Sequence, residues 1–264
     1  MAGILRNGSR NVGETLKSPW LAVVLLIPCL AHCEDKQPPR PEMKPADIRL
    51  SDHPRATAAA ARVGPALERD LQDKALRLGD PIFLRAFKEE KILEVFVRNR
   101  EGVKYDLFRI YRIAATSGVL GPKLMEGDGQ VPEGFYYTGE KSMNPDSMYH
   151  LSFNIGYPNA YDTFHRRTGS HIMIHGNEVS IGCLAMTDEK IEEIFTLADA
   201  ALRNGQPFFR VHVFPFRMTE ERMTRAAADP NKPFWDNLRE GYDFFEKHRV
   251  PPDVGVAEGR YTFW

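Results

Sequence analysis

The chain has 264 residues, with 35 Lys and Arg set against 36 Asp and Glu for a formal charge of −1, and it is 42% hydrophobic and 27% charged. This balance excludes the basic footprint of a nucleic-acid binder and supplies ample apolar material for one large core. Three cysteines, Cys29, Cys33 and Cys183, are too few for a disulfide framework.

Residues 1–33 read as an export signal. Arg6, Arg10 and Lys17 form a basic start, and Trp20 to Leu30 an apolar run of about a dozen residues, too short to span a bilayer comfortably. Ala31-His32-Cys33 places small residues at a cleavage site. Leu30 to Cys33 also has the outline of a lipoprotein signal, but His32 stands where Gly or Ala is usual. The expectation is export to a periplasmic or other extracytoplasmic compartment, with a lipid anchor as the alternative. Cleavage would remove Cys29 and Cys33 and leave Cys183 as the single thiol, which has nothing to pair with and is therefore either buried or reactive.

Residues 34–65 are rich in Pro (Pro38, Pro39, Pro41, Pro45, Pro54) and Ala, poor in large apolar side chains, and read as a linker. The folded domain is expected over 66–264. Leu67, Leu71, Ala75 and Leu78 fall at helical spacing, so a surface helix is expected from Ala66 to Leu78, ended by Gly79-Asp80-Pro81. Ile82–Phe87 and Ile92–Val97 flank the charged turn Lys88–Lys91 and predict a hairpin. A third strand follows at Tyr105–Ala114, then short strands at Phe135–Tyr137, Tyr149–Asn154 and His171–His175. Asp188–Leu202 is the strongest helix, closed by Asn204-Gly205. Phe208–Phe214 returns as a strand, helical runs follow around 220–228 and 234–248, and Tyr261–Trp264 is a closing strand or packed tail. Strands and helices do not alternate, which argues against a doubly wound sheet and for a mainly β, α+β architecture with flanking helices.

The residues with chemistry to offer lie between His171 and Met186, reading HIMIHGNEVSIGCLAM. A thiol becomes a good nucleophile as its thiolate, and a nearby imidazole or the positive end of a helix lowers its pKa. His175 closes a strand-like run, and Thr187-Asp188 signals a helix start just beyond Cys183. Gly176, Ser180 and Gly182 shape the connection, Gly182 allowing the tight turn that leaves Cys183 accessible. Backbone N–H groups from Gly182 to Leu184 are candidates for an oxyanion hole. The bland alternative is a buried small thiol beside a core imidazole. His171, His175 and Cys183 could also be read as zinc ligands. With no His-Glu-x-x-His helix and no well-spaced carboxylate, neither metal nor cofactor is expected. His171 and the Tyr137 hydroxyl are read instead as lining a pocket, and His212 as a residue near the core.

This segment resembles the active-site motif of the L,D-transpeptidase (YkuD-type) catalytic domain, in which an Ile-His-Gly strand precedes a Ser-x-Gly-Cys loop. The loop GDGQVPEGFYYTG (127–139) is similar to the family's Pro-x-Gly-x-Tyr segment, and HLSFNIGYPNAYD (150–162) to its substrate-side strand and loop. The likeness covers roughly residues 80 to 220, is closest to the YafK-like branch, and implies a β-sandwich with one helix after the cysteine. It implies Cys183 as nucleophile, His175 as its base, and a thioester acyl-enzyme formed from peptidoglycan stem peptides. Two departures stand out. The His175–Cys183 connection is shorter than most members have, and Ala185 occupies the position of an arginine that contacts a substrate carboxylate. The resemblance therefore leaves the clamp to another cation, with Arg166 and Arg167 as candidates and Arg217 as a weaker one. It also leaves open an alternative, a hydrolase or amidase of the same fold cutting at the diamino-acid residue, for example at a wall-attached protein. A zinc-dependent amidase and a non-catalytic wall-binding domain are the readings from other classes. A monomer is expected.

Overall fold

The computed structural model describes residues 51–264. The expected export signal, with Cys29 and Cys33, and residues 34–50 of the expected linker lie outside the described residues.

Helix α1 (Pro54–Gln72) corrects the linker boundary at residue 65 and the helix expected at 66–78. The proline read as a linker mark is the first helical residue, where its fixed φ suits the helix and its missing N–H costs nothing. His53 caps this end, its ring nitrogen accepting from the Arg55 N–H at 3.3 Å. The run Ala58–Ala61 supplies the strongest helix former, and Ala56, Ala59, Leu67 and Leu71 bury one face.

The hairpin forms as the alternation demands. β1 (Ile82–Phe87) and β2 (Ile92–Arg98) pair antiparallel from Ile82↔Val97 to Phe87↔Ile92. β3 (Tyr105–Arg112), β4 (Gly134–Gly139) and β9 (Phe208–Phe214) complete a five-stranded sheet in the order β3-β2-β1-β9-β4, with β1 and β9 parallel. A second sheet holds β5 (Met143–Asn144), β6 (Ser152–Asn154), β7 (Met173–His175) and β8 (Leu184–Ala185), in chain order. Its strands are shorter than expected at Tyr149–Asn154 and His171–His175.

Side-chain alternation decides what each face of the large sheet covers. Leu84, Ala86, Val211 and Val213 point into one apolar cluster with Phe153, Ile174 and Leu184 of the small sheet. Helix α3 (Asp188–Arg203) and α1 contribute Ile194, Ala198 and Leu67 to the same cluster. Each fully buried Leu, Ile or Phe in it contributes about 1.5–3 kcal/mol. Phe87 and Phe214 point the other way, onto the C-terminal elements. Those are α4 (Glu220–Arg225), α5 (Lys232–His248) and the hairpin β10 (Val254–Ala257) with β11 (Arg260–Phe263), and they contribute Trp235, Leu238 and Tyr261. His212 also faces this side, edge-on to Phe83 and Phe135. The fold is α+β and mostly sheet, as expected. The short helix α2 (Ala160–Phe164) was not expected; its capping box, Asn159 with Asp162, starts it.

Candidate active site

The small sheet brings His175 and Cys183 together. β7 and β8 run parallel, with Ile174 opposite Leu184 and His175 opposite Ala185. Ile174 and Leu184 are buried in the core, so Met173, His175, Cys183 and Ala185 emerge on the other face. Cys183, one residue before β8, is then the diagonal neighbour of His175, about 8 Å away between Cα atoms by strand spacing. Gly182 has φ +90°, a conformation that L side chains rarely adopt, and turns the chain into Cys183.

The imidazole is held in one tautomer. His175 is 2% exposed, and its Nδ1–H donates to the Gly176 carbonyl at 2.5 Å, which leaves Nε2 as the free acceptor. Burial lowers its pKa, with the Gly176 carbonyl acting in the opposite direction. Cys183 is half-buried. Its Sγ accepts from the Met173 N–H at 3.4 Å and lies 3.7 Å from the His171 carbonyl oxygen. Among the described residues no hydrogen bond joins it to the imidazole. Burial pushes the thiol pKa up, against the Met173 N–H and the Lys123 charge. Burial thus favours the neutral form of both thiol and imidazole.

This corrects the expected activation by a helix start. Leu184 to Thr187 separate Cys183 from the start of α3. There Asp188 Oδ1 accepts from the Asn177 N–H at 2.8 Å. The Met186 N–H donates to the His175 carbonyl at 2.8 Å, tying the two strand ends.

The loop residues serve as supports. Ser180 Oγ donates to the Cys183 carbonyl at 2.7 Å and accepts from the Cys183 N–H at 3.1 Å. The Gly182 N–H donates to Ser117 Oγ at 2.5 Å. Two of the three N–H groups offered for an oxyanion hole, those of Gly182 and Cys183, therefore already have hydroxyl acceptors, which an oxyanion would have to displace. Leu184 is buried in the core. Gly176 has no room for a side chain, since a Cβ there would lie 2.5 Å from Asp188 Oδ1 and 2.7 Å from the Tyr149 carbonyl oxygen.

The remaining candidates divide. His171, exposed and at φ +52°, lends its backbone carbonyl to the neighbourhood of Sγ. Tyr137 is exposed on the large sheet, its ring tilted against that of Phe208 with centroids 5.4 Å apart. Arg167 is not a free clamp. Its Nη1 donates to the buried Asp162 at 2.9 Å, and its guanidinium covers the rings of Tyr161 and Phe234 at 5.0 and 4.8 Å. Arg217 is likewise committed, to Glu94 and the Phe87 ring. Arg166 is exposed and without a partner among the described residues. Ala185 is fully buried and pairs with Ala115.

Several neighbours carried no signal in the sequence. Tyr149 lies against the His175 ring, with centroids 4.7 Å apart. The loop after β3 brings Ser117 to Gly182 and buries Lys123, whose Nζ donates to Asp128 at 2.6 Å. That loop is anchored by the buried Lys88, which donates to the Gly121 and Val131 carbonyls and to Glu133 at 2.7, 2.9 and 2.9 Å. Among the described residues no group of three His, Cys, Asp or Glu is arranged to hold a metal ion.

Residues 85–213 match the family model described as the YkuD L,D-transpeptidase catalytic domain. A protein named "Putative L,D-transpeptidase YafK" from Escherichia coli is 47% identical over 185 residues, covering 70% of this chain and 74% of its own. Among solved structures, a variant of the helical cell shape determining protein Pgp2 from Campylobacter jejuni is 20% identical. That match covers 72% of this chain and 63% of the other, with a TM-score of 0.43. Bd1075 from Bdellovibrio bacteriovorus is 20% identical, covering 63% and 58%, with a TM-score of 0.36. The chain spans less than two thirds of each of these two solved chains.

Proposed function

The chain belongs to the YkuD L,D-transpeptidase family, and on that premise we propose that it is an exported cysteine acyltransferase acting on peptidoglycan stem peptides. The observation that carries the reading is the diagonal placement of Cys183 and His175 on one face of a parallel strand pair, with Nδ1 pinned and Nε2 free. Sulfur attacks the carbonyl carbon of an amide at a diamino-acid residue while its proton passes to His175 Nε2. The tetrahedral intermediate collapses, the C–N bond breaks, and the departing amine takes that proton. A thioester to Cys183 remains. An acceptor amine then attacks the thioester, its proton returning through His175 to the thiolate sulfur, and a new amide forms.

Water in place of the acceptor amine gives hydrolysis by the same two residues. That second reading, including release of a protein joined to the wall through such an amide, is favoured by Ala185. A buried strand residue there offers no cation to hold a substrate carboxylate. Export rests on the charged and apolar pattern of residues 1–33.

The test is incubation with purified muropeptides and chromatography of the products by mass. New links between diamino-acid residues identify transpeptidation, and shortened stems or freed amines identify hydrolysis. Iodoacetamide should abolish either product and EDTA neither. Loss of activity with EDTA would select the metal amidase, and binding without products the non-catalytic wall-binding domain.

A further inference from the structure

We propose that Tyr149 is a positioning residue for His175 and that Arg55, on the first turn of α1, acts on the site through it. The proposal rests on the reading of His175 as the general base.

Tyr149 sits in the turn Ser147–His150 that leads into β6. Its ring lies 4.7 Å from the imidazole between centroids, with the planes 35° apart. Its carbonyl oxygen occupies the space that a side chain on Gly176 would need, so the turn is packed flush on the strand end that carries the base. The imidazole is buried, whereas Tyr149 is 39% exposed, which makes the tyrosine a wall between base and solvent. The bond from Nδ1–H to Gly176 fixes the tautomer, and the ring contact fixes the plane in which Nε2 points.

The turn does not hold its shape unaided. His150 is at φ +69°, in the left-handed region that costs free energy for a residue with a Cβ. The bracing comes from two helices distant in sequence. Arg55 Nη1 donates to the carbonyls of Ser147 at 2.8 Å and His150 at 2.7 Å, gripping both ends of the turn with one guanidinium. The imidazole Nε2 of His150 meets Glu192 Oε1 of α3 at 2.7 Å, and Arg62 of α1 bonds the same carboxylate. Helix α1 is therefore coupled to the His175 imidazole through one four-residue turn. Among the described residues, the charged and titratable groups on the elements around His175 include Cys183 with the Lys123 charge acting on it, Tyr149 itself, Asp188 against the Gly176 backbone, and the His150–Glu192 pair with Arg55 and Arg62.

The experiment reads the His175 titration by NMR of histidine-labelled protein, together with kcat and KM on muropeptides, in wild type, Tyr149→Phe, Tyr149→Ala, Arg55→Met and the double variant. Tyr149→Phe keeps the ring and should preserve the titration, with kcat within about twofold of wild type. Tyr149→Ala should admit water, raise the His175 midpoint toward that of an ordinary histidine, and lower kcat about tenfold with KM little changed. Arg55→Met, remote from the base, should shift both in the same direction, and adding Tyr149→Ala to it should cost no more than Tyr149→Ala alone. An unmoved His175 midpoint in Tyr149→Ala, or losses that multiply in the double variant, would overturn the proposal. The titration needs no substrate. If wild type forms no product at all, the general-base reading fails separately, while the shift still reports on Tyr149 and Arg55.

Discussion

Replacing Gly176 with alanine inserts a methyl group where there is no space for one. Its Cβ would meet Asp188 Oδ1 at 2.5 Å, the Tyr149 carbonyl oxygen at 2.7 Å and Ile191 Cγ2 at 3.0 Å. Only the first of these can move cheaply, and Asp188 Oδ1 already accepts from the Asn177 N–H. Overpacking of this kind costs about 1–3 kcal/mol. Losing the Asp188 bond adds about 1 kcal/mol. The stiffer unfolded chain returns about 0.4–1 kcal/mol. The net is a destabilisation of about 1–3.5 kcal/mol, which for a chain of this size lowers the melting temperature by roughly 2–14 °C. Thermal unfolding followed by circular dichroism reads it, with Gly102→Ala as the control. A Cβ at Gly102 meets nothing within 4 Å, and that variant should stay within about 0.5 kcal/mol of wild type. Turnover of Gly176→Ala at a temperature where it is fully folded should fall as well, since the displaced Tyr149 carbonyl carries its ring away from His175. A melting temperature equal to that of the control would refute the packing described for this loop.

Other expectations follow from the same contacts. His175→Ala should lower turnover by about 10²–10⁴-fold with the fold intact, whereas His171→Ala, exposed and contributing only its backbone carbonyl, should cost far less; equal losses would favour a shared metal site. Arg166→Met should raise the substrate concentration required and leave stability unchanged, while Arg167→Met, which strands the buried Asp162, should cost about 3–5 kcal/mol of stability. The reverse pattern would mean that Arg167 is the clamp. His212 is buried, neither of its ring nitrogens has a hydrogen-bond partner among the described residues, and burial holds its pKa well below the ordinary value. The unfolded chain takes up this proton below about pH 6.5 and the folded chain does not, so stability present above that pH is lost as pH falls. Urea unfolding at a series of pH values should show a shallower acid-side loss for His212→Leu, and identical slopes would contradict this. Sequencing of the mature chain should begin near Glu34 in an extracytoplasmic fraction; a cytosolic protein starting at Met1 would remove the export reading.

What the sequence could show depended on how local the cause was. β1 and β9 match their expected bounds because both are dominated by apolar and aromatic residues, and α3 begins at the expected Asp188 because a Thr187 cap precedes an apolar-periodic stretch. α1 was hidden because Pro54 and the alanines that follow read equally well as a linker. Only burial of Ala56, Ala59 and Leu67 against the core separates the two. At the site, the motif gave Cys183 and His175, and their proximity follows from the parallel pairing of two very short strands. The electrostatics were not legible, because burial outweighs the local features that would lower the thiol pKa. Arg167 looked free only because its partner, Asp162, has to be brought to it by α2. Tyr149, Ser117 and Arg55 reach the site through turns and loops whose partners lie far away in sequence.

In the proposed mechanism Cys183 carries the acyl group while His175 moves the proton. The most direct test of this is intact-mass spectrometry of the protein mixed with purified muropeptides, quenched in acid and followed by peptide mapping. The expected result is a mass increase equal to the stem peptide without its departing amine, located on the peptide containing Cys183. It should be lost in Cys183→Ser and form slowly in His175→Ala. Turnover with no adduct on Cys183 at any time, or an adduct that persists in Cys183→Ser, would contradict it.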